Sequence, residues 1–444
     1  SSSCFAQVCC LQMVEIASST DVALSAPLAV LATIKGMIGA GILSLPYVFN
    51  QTGLIFAVPG FLIVSALCAF SVWRMIECKR LLLSPGYAHI GAQQDSGVVE
   101  SLEEPPKADD HGLGVSALVG SALGPAGVIL AGIGVLVTQC GAGIAYIDVV
   151  TETLGGPRLL GSYMSAFQIR IGIGIFLGVL AIFRDLGSIA KLSGLALFVY
   201  AYLLVALVWR GSEHLSDGSS YDAGVNLDSF GLWFGTTIFA QEAIILITYI
   251  YEDMRLSEPK RFIPVLVWSF SIASVICAFV GAFGALCYGD KIEPVFYMNF
   301  PKDSIDLKIA EVVLCFVLLI SFVLQLYPVN HFLEQNVLGG SRVSGEDKEM
   351  QNVKESSACF PSVFIRWTIV VVLSVVAACI SNVSCVMGYT GSFAISLIGF
   401  FLPSLCHVRI CRGKLSVVDW IMDVLLFVSG VLAVVFGVLN TSCS

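Results

Sequence analysis

Glu242 is the first residue that demands an explanation. It lies in the apolar stretch "FGLWFGTTIFAQEAIILITYIYEDM", beside Gln241 and a few residues after Gly235, Thr236 and Thr237. A carboxyl at bilayer depth is costly, and such groups usually face a cavity that carries ions or substrates. There it can load and release a proton near neutral pH. The competing role is static: the side chain would stay fixed, hydrogen-bonded to the backbone of its own interrupted helix. A second stretch, "TIKGMIGAGILSLPYVFNQTG" (Thr33 to Gly53), is equally odd. Gly36, Gly39, Gly41 and Pro46 are poor helix formers inside a run apolar enough for a membrane. In hydrocarbon, irregular backbone survives only where it lines a protein or water cavity. A helix broken at Ile38, Gly39, Ala40, Gly41 and Ile42 offers half-helix amides to a carboxylate. Its unwound carbonyls suit an ammonium group or a cation. A small zwitterionic amino acid needs both. Close helix packing through small residues is the alternative for these glycines.

Phe239, Ala240, Gln241 and Glu242 are expected to face that break and complete a substrate site. Gln139 and Tyr146 share a face of the third span; they either line the pocket or pack. The same choice holds for Ser321 and Tyr327 on the eighth. Lys35, about one turn before the break, either joins Glu242 in proton coupling or snorkels inward. Asp148 and Glu152 are expected near the outer surface. His89, His111, His214, His331 and His407 read as ordinary surface or interface residues. No Ser/His/Asp, paired-carboxylate or phosphate-loop pattern appears, so neither an enzyme nor a cofactor is expected. The coupling ion would be a proton, with sodium as the alternative.

These residues must be positioned by membrane helices. Charged residues are 12% of the 444 and hydrophobic ones 57%, against about 25% charged in soluble domains. Apolar runs of about 20 residues, enough to span the hydrocarbon core, recur along the chain. The expected fold is an all-α polytopic membrane protein of about 11 spans: 26–49, 53–76, 115–152, 165–183, 186–209, 230–251, 262–288, 307–333, 362–385, 387–405 and 417–439. Two broken spans at matching places predict inverted halves: residues 26–209 with a cytosolic loop 77–114, and 230–409 with a cytosolic loop 334–361. A tail 1–25 precedes them, and the span 417–439 lies outside the repeat. Lys and Arg concentrate on the side that makes the N-terminus cytosolic. The sequons at Asn50, Asn382 and Asn440 then fall outside, most of them expected to be unused. Polar segments 81–112 and 339–358 read as disordered. The 15 cysteines read as small apolar packing residues. The lipid bilayer is an expected partner, nucleic acid is not, and protein partners are unknown.

The motifs also carry a resemblance. "LATIKGMIGAGILSLPYVFNQTG" resembles the first-span signature of the amino acid/auxin permease family. "FGTTIFAQEA", "LQLYPVNHFLE" and "ISLIGFFLPSL" resemble its sixth, eighth and tenth spans, and "TQCG" at 138–141 its third. The resemblance runs over roughly residues 30–405. It implies a leucine-transporter-type 5+5 inverted repeat with broken helices 1 and 6, eleven spans, and alternating-access amino acid transport, commonly proton-coupled. "KGMIGAGILSLP" is similar to proton-coupled relatives, and "YVFNQTG" to vacuolar ones. The membrane is therefore vacuolar or lysosomal, or the plasma membrane. Gln241 stands where the family has an aromatic and Ala243 where it has glycine, and the second span lacks a histidine that some proton-coupled relatives use. Other readings are a carrier of another small organic solute, and an amino acid sensor of the same fold, which a long cytosolic tail would favour.

Overall fold

The computed structural model describes residues 25–82, 115–181, 195–215, 224–257, 259–301, 303–326, 329–330, 359–380, 382–412 and 415–439. The tail 1–24, most of both polar loops, Tyr327, His89, His111, His331, Asn440 and the side chain of His214 lie outside the described residues. Among those described there are helices and no strands. The helices are α1 (Ala26–Met37), α2 (Gly41–Thr52), α3 (Leu54–Leu82), α4 (Val115–Leu154), α5 (Ala166–Leu180), α6 (Leu195–Leu215), α7 (Phe230–Ala240), α8 (Ile244–Ser257), α9 (Phe262–Tyr288), α10 (Ile305–Gln325), α11 (Cys359–Cys379), α12 (Val383–Thr390), α13 (Leu402–Ile410) and α14 (Val417–Leu439). Two π-helical segments, Gly391–Ile395 and Leu397–Phe401, join α12 to α13.

Eight described helices are long and apolar enough to cross a membrane, or up to nine when the bent pair α1–α2 counts as one. The apolar stretches Ala166–Leu180 and Val363–Cys379 are shorter. The outer surface is apolar: Phe198, Trp209, Trp268, Val275 and Phe364 all point outward. In water that would be a liability; in lipid it is the expected exterior. The protein is an integral membrane protein.

The two breaks seen in the sequence are real. α1 and α2 meet at 56°, and residues 241–243 separate α7 from α8. The long third span is not one straight helix. It is bent at Gly124, with φ 72° and ψ −161°, just before Pro125. The proline disfavours helix at the residue before it, and only glycine takes that dihedral pair without strain.

Around the breaks, α9 packs on α1, α2 and α3, while α7 packs on α2 and α12. Polar clusters fasten both ends of the bundle. At one end Arg158 is buried; its Nε donates to Glu311 Oε1 at 2.7 Å, Nη2 to the Tyr297 carbonyl at 2.7 Å and Nη1 to the Phe300 carbonyl at 2.6 Å. At the other, Arg74 joins α3 to α14 through Asp419 (2.6 Å) and Asp423 (3.4 Å). His407 belongs to that cluster, with Nδ1 2.6 Å from Asp423 and Nε2 3.1 Å from Arg74 Nη1. It is a buried link between α13 and α14, so the surface part of the histidine reading does not hold for it. Asp148 is buried, 3.6 Å from Arg170 on α5. Cys385 is disulfide-bonded, an exception to the packing role of the cysteines. Asn50 is buried, with Nδ2 3.4 Å from Asp290 Oδ1.

Candidate functional site

The first break starts where α1 runs out of partners. Ile38 donates back to the Ile34 carbonyl (2.8 Å) and Gly39 to Met37 (3.0 Å). Ile38, with ψ 83°, then leaves the helix. In α2, Ile42 and Leu43 donate to Gly39 and Ala40 at 3.4 and 3.1 Å. The amides of Ala40 and Gly41 have no backbone acceptor among the described residues. They are the open donors of a helix start, carrying its partial positive charge.

The second break closes on the first. α7 ends as Gln241 donates to the Ile238 carbonyl at 3.1 Å. The Glu242 carboxyl lies beside the amides of Ile244 and Ile245 at the start of α8, the arrangement that the static role of Glu242 requires. Oε1 is buried without a hydrogen-bond partner among the described residues. Gly41 packs directly on Ala240, so each break is the wall of the other.

Between them lies a cavity of about 190 Å³. Ile38, Gly39, Ala40 and Gly41 line it from the first break, Phe239 and Glu242 from the second, and Lys35, Gln139, Tyr146 and Ser321 from α1, α4 and α10. The expected residues Ile42, Ala240 and Gln241 do not line it. Ile42 is in the core, Ala240 backs Gly41, and the Gln241 carbonyl oxygen turns to Ser65 Oγ, 3.2 Å away on α3. Cavity-lining residues not singled out from the sequence include Thr138 and Tyr200. The Thr138 hydroxyl, Gln139 Oε1 and the Tyr200 hydroxyl are buried without partners among the described residues. Thr138 adjoins the Gln139 motif and was within reach. Tyr200 sits in the aliphatic run of α6, with no pattern to mark it.

A cavity with amide donors on one wall and a carboxyl on the other can take a small zwitterion. Among the described residues there is no group of His, Cys, Asp and Glu that could hold a metal ion. A family model described as "Transmembrane amino acid transporter protein" matches residues 23–443. Amino acid transporter AVT3A of Arabidopsis thaliana is 24% identical over 419 residues, covering 90% of this chain and 85% of that protein. Amino acid transporter ANT1 of the same plant is 22% identical, covering 92% and 90%. Vacuolar amino acid transporter 3 of Schizosaccharomyces pombe is 25% identical over 92% of this chain, which spans 56% of that protein's length.

Proposed function

From the premise that the chain belongs to the transmembrane amino acid transporter protein family, a family of transporters rather than enzymes, we propose that it is a secondary active transporter of small amino acids driven by protons. One observation carries this reading: a single cavity is bounded by both helix breaks, with the open amides of Ala40 and Gly41 on one side and Glu242 on the other. The substrate carboxylate would sit on the α2 amides. The ammonium group would sit near the Glu242 carboxyl and the carbonyls at the ends of α1 and α7. The proposal gives the unpartnered Glu242 Oε1 the transported proton, and Lys35, lining the same cavity, a share in coupling.

The proposed architecture has eleven spans in two inverted five-span repeats, with α14 outside them and the N-terminus cytosolic. Rocking of one bundle against the other would then expose the cavity to each face in turn. Relatives named as vacuolar favour a vacuolar membrane. The test is radiolabelled amino acid uptake into proteoliposomes, with and without an imposed pH gradient, for wild type and Glu242→Gln. Uptake that follows the gradient and loses that dependence in the variant supports the proposal. Gradient-driven uptake that survives the substitution removes Glu242 as carrier. An absence of amino acid uptake under pH or sodium gradients, in folded protein, overturns the transport reading.

A further inference from the structure

Behind the substrate cavity lies a second one of about 20 Å³, and Glu242 lines both. Gln241, Ser71 and Gly399 also border the smaller void. Gln241 is 1% exposed. Its Oε1 accepts from Ser65 Oγ, which pairs in turn with Ser274 Oγ. The carbonyl end of that amide is thereby committed. The Nε2 end is buried without a partner among the described residues, and so is Glu242 Oε1. Two consecutive residues, one with an unpartnered donor and the other with an unpartnered acceptor, thus border one small void.

The void matches one ligand in size and chemistry. A water needs about 10–15 Å³ of probe-occupied volume and two to four polar partners. Gln241 Nε2, Glu242 Oε1 and the Ser71 hydroxyl, which donates to the Gly399 carbonyl, can supply three. A metal cation does not suit a wall that presents an amide N–H. We propose that this void holds one structural water, accepting from Gln241 Nε2 and donating to Glu242 Oε1. Gln241 is then a positioning residue for the carboxyl rather than a substrate ligand.

The water gives Glu242 what the neighbouring amides do not. Amides only donate, so they serve the carboxylate oxygens and the C=O of the acid, but give its O–H no acceptor. A water rotates: it donates to the carboxylate and accepts from the protonated acid. The proton state of Glu242 can therefore change while its carboxyl stays beside the α8 amides. The other titratable or charged groups that share a cavity with Glu242 are Lys35 from α1, Cys68 from α3, Tyr146 from α4 and Tyr200 from α6. The water site stands on geometry, and its consequence for transport rests on the proton-coupling reading above.

The test is infrared difference spectroscopy of the full chain in liposomes, titrated across pH. The Glu242 bands, carboxyl or carboxylate, are assigned by their loss in Glu242→Gln. Two variants remove the water by different routes. Gln241→Leu deletes the donor. Gly399→Ala adds a methyl group at the border of the void: a Cβ there meets only Ile395 Cγ2, at 3.9 Å, and neither water partner is altered. Both are expected to shift the Glu242 bands, the protonated C=O stretch moving to higher frequency as it loses a hydrogen bond. Unshifted bands in folded Gly399→Ala overturn the water site, even if Gln241→Leu misfolds. Shifted bands together with wild-type uptake that ignores the pH gradient would support the water and sink the proton-coupling reading alone.

Discussion

Gly41 lies so close to Ala240 that a Cβ on the glycine would stand 2.8 Å from the Ala240 Cα. The obstacle is backbone, so the contact cannot be relieved by a side-chain rotation. Gly41→Ala is therefore expected to push the two breaks apart, at a cost of about 1–3 kcal/mol from overpacking, and to abolish uptake. Gly39 is the control, because a Cβ there meets nothing within 4 Å. Gly39→Ala should fold normally and narrow the cavity by a methyl group, raising KM more for larger amino acids than for glycine. Thermal unfolding and uptake kinetics of the two variants check this. Equal behaviour of both would show that the breaks are not in contact.

Arg158 and Glu311 form a buried pair, and the arginine also satisfies the carbonyls of Tyr297 and Phe300. Removing one partner strands a buried charge, which costs roughly 3–5 kcal/mol, whereas replacing both by apolar groups is often neutral. Arg158→Met is expected to lower the unfolding temperature sharply. The double variant Arg158→Met, Glu311→Met should recover much of the loss, although the two carbonyls stay unpaired. A double variant as unstable as the sum of the single ones would mean the pair is not coupled.

Much of this was legible in the sequence, for a physical reason. Glycines at 36, 39 and 41 and a carboxyl at 242 are conspicuous because a bilayer forbids them without cause. Both breaks appear where those residues predict them. The partition of side chains around the second break was not legible. Phe239 and Glu242 reach the cavity while Ala240 and Gln241 do not, because the helix ends at Ala240 and its periodicity cannot be extrapolated to Gln241 and Glu242. Nor could spacing reveal Tyr200 or the Arg74 cluster. Arg74 falls at the end of the expected second span, where an arginine can reach the membrane surface, yet it is 2% exposed, as its acidic partners Asp419 and Asp423 come from α14, more than 300 residues away.

Gly124 tests the kink in the third span. Its φ of 72° and ψ of −161° lie in a region reserved for glycine, where other residues pay about 1–3 kcal/mol. No neighbour lies within 4 Å of a Cβ at that position, so strain alone should act. Gly124→Ala is expected to reduce stability by that amount and to leave KM near wild type, the kink being remote from the cavity. An unchanged unfolding temperature would imply that the chain takes another path before Pro125.

The Arg74 cluster makes the sharpest stability prediction, because its charges do not balance without the arginine. Asp423 is buried beside Arg74 and His407, Asp419 accepts from Arg74 Nη2 at 2.6 Å, and Glu77 lies 3.0 Å from Nη1. The guanidinium also lies 4.8 and 4.7 Å from the ring centroids of Phe70 and Trp73. One planar fork thus serves three carboxylates and two aromatic faces at once, a task that an ammonium group cannot copy. Arg74→Lys keeps the charge, so it should fail if geometry matters and succeed if charge alone does. The expected result is that Arg74→Lys and Arg74→Met both destabilise, by up to about 3–5 kcal/mol for the charge-deleting change. Glu77→Gln, at a partly exposed site, should cost about 1 kcal/mol or less. Thermal unfolding of the three variants in one detergent ranks them. A lysine variant as stable as wild type would refute the fork, and a harmless Arg74→Met would refute the cluster as the tie between α3 and α14.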